Sequence, residues 1–174
     1  MKKHILTITM IKNSLKYFFL LLLIWGSTFT STYSQSVKVI NLKDFEVLLN
    51  RKSDSIYVYN FFATWCKPCV KELPHFIKFS KDSIHSNINI TFINLDQPEN
   101  VDDIVIPFLA KKKLTQTVYL LNNTNYALWM PRVDRRWGGS IPATLVINAT
   151  NNKRAFMEGE INYKELIDLI HSTK

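Results

Sequence analysis

The sequence predicts an α/β domain of three layers, a sheet with helices on both faces. Three observations carry that prediction. Two segments, "SIYVYNFFA" (55–63) and "NINITFINLD" (87–96), are β-branched and aromatic runs with few charges, as expected of strands covered on both sides. Stretches with apolar residues every three or four positions lie between such runs. A hairpin signal and a well-specified helix close the chain, so strand and helix alternate first and antiparallel pairing comes last.

The elements follow in order. "SVKVI" (36–40) reads as a short strand. In "NLKDFEVLLN", Leu42, Phe45, Leu48 and Leu49 have helical spacing, and Asn41 is placed to cap them. The strand at 55–63 leads into "TWCKPC", and a helix is expected from about Pro68 to Ser80, with Val70, Leu73 and Ile77 on its buried side and Pro74 kinking it. After the strand at 87–96, Val101–Lys112 is helical, with Pro107 bending it or marking a late start. "QTVYLL" (116–121) is a strand, and Asn125–Val133, which has no clean period, is assigned to helix. "PATLVIN" (142–148), the turn "ATNNK" and "RAFMEGE" form the hairpin. In the last helix Asn162 is the N-cap, Glu165 completes a capping box, and Ile161 staples against Leu166. Tyr163, Leu166, Ile167 and Ile170 make its buried stripe.

The first 34 residues differ from the rest. Lys2, Lys3, Lys12 and Lys16 form a basic start, with no acid before Asp44. An apolar run, "YFFLLLLIW" (17–25), and a small polar stretch, "GSTFTSTYSQS", follow. That is the layout of a secretory signal peptide, with cleavage expected after Ser34. The apolar run is short for a bilayer core of ~30 Å, which takes about 20 residues. An uncleaved N-terminal anchor is the rival reading. Residues 1–34 are therefore assigned to the signal and 35–174 to a single domain.

All four charges of the signal segment are lysines, so the basic count of 22 falls to 18 against 14 acids, and the net charge from +8 to +4. The basic clusters left, Lys111–Lys113 and Arg132, Arg135 and Arg136, come with no nucleic-acid motif and read as a solvated face. No nucleic-acid partner is expected. Cys66 and Cys69 are the two cysteines of the chain, too few for a disulfide framework in an exported protein, so a different use is expected of them.

A bare C-x-x-C is weak evidence, but here it follows a buried strand and opens a helix. Cys66 falls near the N-cap and Cys69 one turn in. Free N–H groups and the positive helix end point at Cys66, conditions that favour a thiolate and lower a cysteine pKa below ~8.5. Lys67 adds a positive charge, and Pro68 suits the first turn, where its missing N–H costs little. Cys66 is then the nucleophile that attacks a substrate disulfide, and Cys69 resolves the mixed disulfide. Zinc normally takes four protein ligands in a structural site, and only His75, His85 and His171 remain beyond the signal, so no metal is expected. A c-type haem attachment needs His after the second cysteine, where Val70 stands. An inert surface disulfide stays open.

"NFFATWCKPCVKELP" (60–74) resembles the signature NFWATWC-x-PC…E-x-P of the TlpA/ResA-like branch of exported thiol–disulfide oxidoreductases in the thioredoxin superfamily. "GGSIPATLVIN" (138–148) is similar to that family's second hallmark, in which a cis proline faces the cysteine pair, and Pro142 takes its position. The resemblance covers residues 37–172 and implies a thioredoxin-like three-layer α/β/α fold. Its central sheet would be mixed, and an inserted unit, around 100–135, would precede the cis-proline strand. It implies a cis Ile141–Pro142 bond, with the Ile141 backbone offering strand-like hydrogen bonds to a substrate. Trp65 would lie flat beside the reactive sulfur; a half-buried core aromatic is the plainer reading. The resemblance also makes Glu72, one helical turn beyond Cys69, the proton acceptor, since Asn60 cannot titrate where thioredoxins carry an aspartate. An exposed Glu on a surface helix is the other reading. Trp129 and Trp137, in "YALWMPRVDRRWGG", would pack the insertion or shape a partner surface.

The expected function is reduction of disulfides in cell-envelope proteins, without a cofactor, after export to the periplasm or envelope. By resemblance the electron donor is a membrane thiol-electron carrier. One role in that branch is reduction of apocytochrome c cysteines before haem attachment, which no residue here specifies. Net dithiol oxidation and a non-catalytic binding module with a fixed disulfide are the alternatives.

Overall fold

A computed structural model describes residues 36–82 and 87–174. The expected signal segment, its cleavage point and His85 lie outside the described residues. Along the chain run β1 (Val37–Ile40), α1 (Leu42–Leu49), β2 (Ile56–Phe62), α2 (Lys67–Ser80), β3 (Ile88–Asn94), α3 (Ile106–Lys112), β4 (Thr117–Leu121), α4 (Tyr126–Val133), β5 (Ala143–Asn148), β6 (Arg154–Glu158) and α5 (Tyr163–His171). The strands form one sheet in the order β1-β4-β3-β2-β5-β6. β1, β4, β3 and β2 run parallel to one another, β5 pairs antiparallel with β2, and β6 pairs antiparallel with β5. The sheet is therefore mixed, as expected, and β4 of the inserted stretch sits between β1 and β3.

β2 is buried along nearly its whole length, and its alternate residues supply two cores. Val58 and Phe62 join Leu73 and Phe76 of α2, Leu109 of α3 and Leu166 and Ile170 of α5. Tyr59 and Phe61 join Phe45 and Leu48 of α1 and Trp129 and Val133 of α4. Helices thus cover both faces of the sheet, giving three layers. Trp129 and Trp137 belong to the second core. Trp129 stacks on Phe61 at 6.0 Å between centroids and meets Trp137 edge-on at 5.4 Å.

Local signals are realised at both well-capped helices. Asn41 Oδ1 accepts from Asp44 N at 3.0 Å, and Asn162 and Glu165 form the reciprocal capping box. One expectation needs correction. The buried seam of α2 is Cys69, Glu72, Leu73, Phe76 and Phe79, whereas Val70 and Ile77 are half-buried flanks. The helix is turned so that its two phenylalanines, with more apolar surface to bury, take the central positions. Val101–Lys112 is helical as expected, and Pro107 marks the late start: Val101–Val105 is a π-helix, and the α-helix begins at Ile106 with Pro107 in its first turn, where a missing N–H is harmless.

Candidate active site

The end of β2, the start of α2 and the segment before β5 converge on the cysteines. Cys66 is the N-cap of α2. Its Sγ accepts from Cys69 N at 3.3 Å, so one first-turn amide points at this sulfur. Cys66 and Cys69 are joined as a disulfide, with Cα atoms 5.3 Å apart. Cys66 is 5% exposed and Cys69 0%, an asymmetry that leaves only Cys66 open to attack from outside. Lys67 and Pro68 are exposed in the first turn. Trp65 is 68% exposed, so it is not a core aromatic.

The turn carrying Trp65 and Cys66 is held from the sheet. Asp96, just past β3, accepts Thr64 N at 2.8 Å through one oxygen and Thr64 Oγ at 2.7 Å through the other. Asn94 Nδ2 donates to the same carboxylate at 2.7 Å. Across from this turn, the Ile141–Pro142 bond is cis. The Ile141 carbonyl oxygen lies 3.6 Å from Cys66 Sγ. In the disulfide that sulfur carries no hydrogen; in the dithiol its S–H can donate to this oxygen.

Glu72 is fully buried one turn beyond Cys69. Asn60 Nδ2 donates to its Oε1 at 2.6 Å, and Ile161 N donates to its Oε2 at 2.8 Å. Burial raises its pKa to about 7, against the pull of those two hydrogen bonds, which favour the anion. Asn60 faces Thr144 across the β2–β5 pair and donates to its hydroxyl at 3.2 Å. Among the described residues the buried Asn60 Oδ1 atom has no partner. An amide rotated by half a turn would offer that oxygen to a protonated Glu72, so the pair can serve either charge state.

Residues 28–154 match the family model described as the AhpC/TSA family. The chain belongs to the AhpC/TSA family, within the thioredoxin superfamily. Among proteins similar to this AhpC/TSA chain is the mitochondrial thioredoxin-3 of Saccharomyces cerevisiae, 34% identical over 74 residues, which are 42% of this chain and 54% of that one. Another is the sporulation thiol-disulfide oxidoreductase A of Bacillus subtilis, 32% identical over 63 residues, 36% of this chain and 38% of that one. The matched segments thus span about half or less of these relatives. The thioredoxin-related protein of Neisseria meningitidis serogroup B shares the fold with a TM-score of 0.59 at 26% identity, covering 70% of this chain and 86% of that one.

Within this AhpC/TSA domain the structure gathers Cys66, Cys69, Ile141 and Pro142 at one place and sets Glu72 behind them. The sequence reasoning missed Thr144 and Asp96. The signal available for both was a polar residue in an otherwise apolar strand or at its end, since a buried polar group needs a partner. Among the described residues no three side chains of His, Cys, Asp or Glu come together as metal ligands.

Proposed function

We propose that the chain is an exported thiol–disulfide oxidoreductase that reduces disulfides of cell-envelope proteins. The observation that carries the reading is the succession of a slightly exposed cysteine at a helix N-cap, a fully buried second cysteine, and a buried carboxyl with a pKa near neutrality.

The reaction follows from that order. In the dithiol form the Cys66 thiolate attacks one sulfur of a substrate disulfide. A bond forms between Cys66 and that sulfur, and the other substrate sulfur leaves as a thiolate. The Glu72 carboxylate takes the proton from the Cys69 thiol. The Cys69 thiolate attacks Cys66 Sγ, closing the disulfide and releasing the second substrate thiolate, which takes up a proton from solvent. Two electrons pass to the substrate, and a membrane dithiol donor returns the pair to its reduced form. Ile141, Trp65, Lys67 and Pro68 frame the substrate, with Pro142 shaping the Ile141 backbone. Export rests on the basic start and apolar run of residues 1–34, which make up the signal, residues 35–174 being the catalytic domain.

The reduction potential of the cysteine pair, measured against glutathione or dithiothreitol, tests the direction. A value far below −120 mV is expected of a reductant; a value near about −120 mV would make the chain a net oxidant.

A further inference from the structure

The segment ahead of the cis proline is tied down by a residue that the reaction does not otherwise use. Glu158 ends β6, opposite Ala143 of β5. Its Oε2 accepts Gly138 N at 2.9 Å and its Oε1 accepts Ser140 N at 2.8 Å. Two backbone N–H groups on one carboxylate make a charge-assisted, bidentate clamp. Both bonds hold the Glu158 pKa below the usual carboxylate range.

The surrounding geometry is built around the clamp. A Cβ on Gly138 would stand 3.3 Å from Glu158 Oε1, so glycine permits the close approach. Gly139 takes φ +100, a conformation that L side chains rarely adopt, and turns the chain between the two bonded amides. Trp137 Nε1 donates to Ser140 O at 2.9 Å, and Gly159 N donates to Pro142 O at 2.8 Å. Ile141 lies between these ties. Among the described residues neither its N–H nor its C=O bonds to another backbone group, although its carbonyl stands beside Cys66.

We propose that Glu158 is a positioning residue for substrate: its carboxylate fixes Gly138 and Ser140 so that Ile141 presents a strand-like N–H and C=O to an extended segment flanking the target disulfide. The inference rests on the oxidoreductase reading. Its energetic logic is preorganisation: a loop already held in the bound shape loses less freedom when the peptide pairs with it. A small disulfide with no peptide backbone makes no use of the clamp.

The full chain, Glu158→Ala and Glu158→Gln are compared with a dithiol reductant in excess and two substrates, a disulfide-linked extended peptide and hydroxyethyl disulfide. Glu158→Ala should raise KM for the peptide about tenfold, leave kcat within about twofold, and change the hydroxyethyl disulfide rate by less than about twofold. Glu158→Gln keeps one carbonyl acceptor and should raise the peptide KM about threefold. Amide exchange at Gly138 and Ser140 should quicken in both variants. An unchanged peptide KM in Glu158→Ala, or an equal loss on both substrates, overturns the inference. Should the alanine variant not fold, the glutamine variant decides by the same two criteria. Failure of the unaltered chain to reduce either substrate would instead overturn the oxidoreductase reading on which the inference stands.

Discussion

Asn60 Nδ2 donates a 2.6 Å hydrogen bond to Glu72 Oε1 across the seam between β2 and α2, where both side chains are fully buried. The bond stabilises the carboxylate, and burial opposes it more strongly, so the pKa settles at about 7 rather than the ordinary 4.5. An acid poised there can accept a proton and give it back at neutral pH.

Glu72→Gln should therefore split stability from activity. The native state binds this proton more tightly than the unfolded chain, so stability falls as pH rises from 4.5 to about 7, and the loss is complete above that. Glutamine escapes this loss, and Asn60 can turn its free oxygen to the new amide. Urea unfolding should show the variant about 1–3 kcal/mol more stable than the parent at pH 8, with the gain gone at pH 4. Its disulfide-reduction rate should fall about 10- to 100-fold at pH 7 and lose the rise that the parent shows through that pH.

Asn60→Asp should place a second carboxyl against the first. The two would share a proton and titrate as a pair, one of them well above neutrality. At pH 8 the variant should be about 1–3 kcal/mol less stable than the parent, recovering as the pH is lowered. Equal stability of the two proteins at pH 8 would show that the pair is not in contact in solution.

Trp129→Ala tests how the inserted stretch is anchored. Trp129 is fully buried and packs on Phe45, Phe61 and Trp137, with centroids 5.9, 6.0 and 5.4 Å away. Truncation should cost about 3–5 kcal/mol by urea unfolding, because α4 fastens to the sheet through this side chain. A loss under about 1 kcal/mol would mean that the ring is not enclosed.

Much of this fold is legible in the sequence. The aromatic run at β2, the Asn41 and Asn162 caps and the C-x-x-C at a strand-to-helix turn are local signals, and local chemistry decides them. The seam of α2 is not local. Val70 and Ile77, or Phe76 and Phe79, fit a period of 3.6 equally well, and only the helix's roll on the sheet chooses between them. That same roll carries Glu72 inward, which a hydrophobicity count places at the surface. The Glu158 clamp joins residues 18 and 20 positions apart through a turned loop, and spacing alone cannot signal it.

The most direct measurement is mass spectrometry of the reduced Cys69→Ser chain after mixing with a disulfide-linked peptide at neutral pH. Without the resolving sulfur, the account predicts a stable one-to-one adduct whose mixed disulfide maps to Cys66 and is absent from Cys66→Ser. A Cys69→Ser chain that stays unmodified while the peptide disulfide remains intact would contradict it.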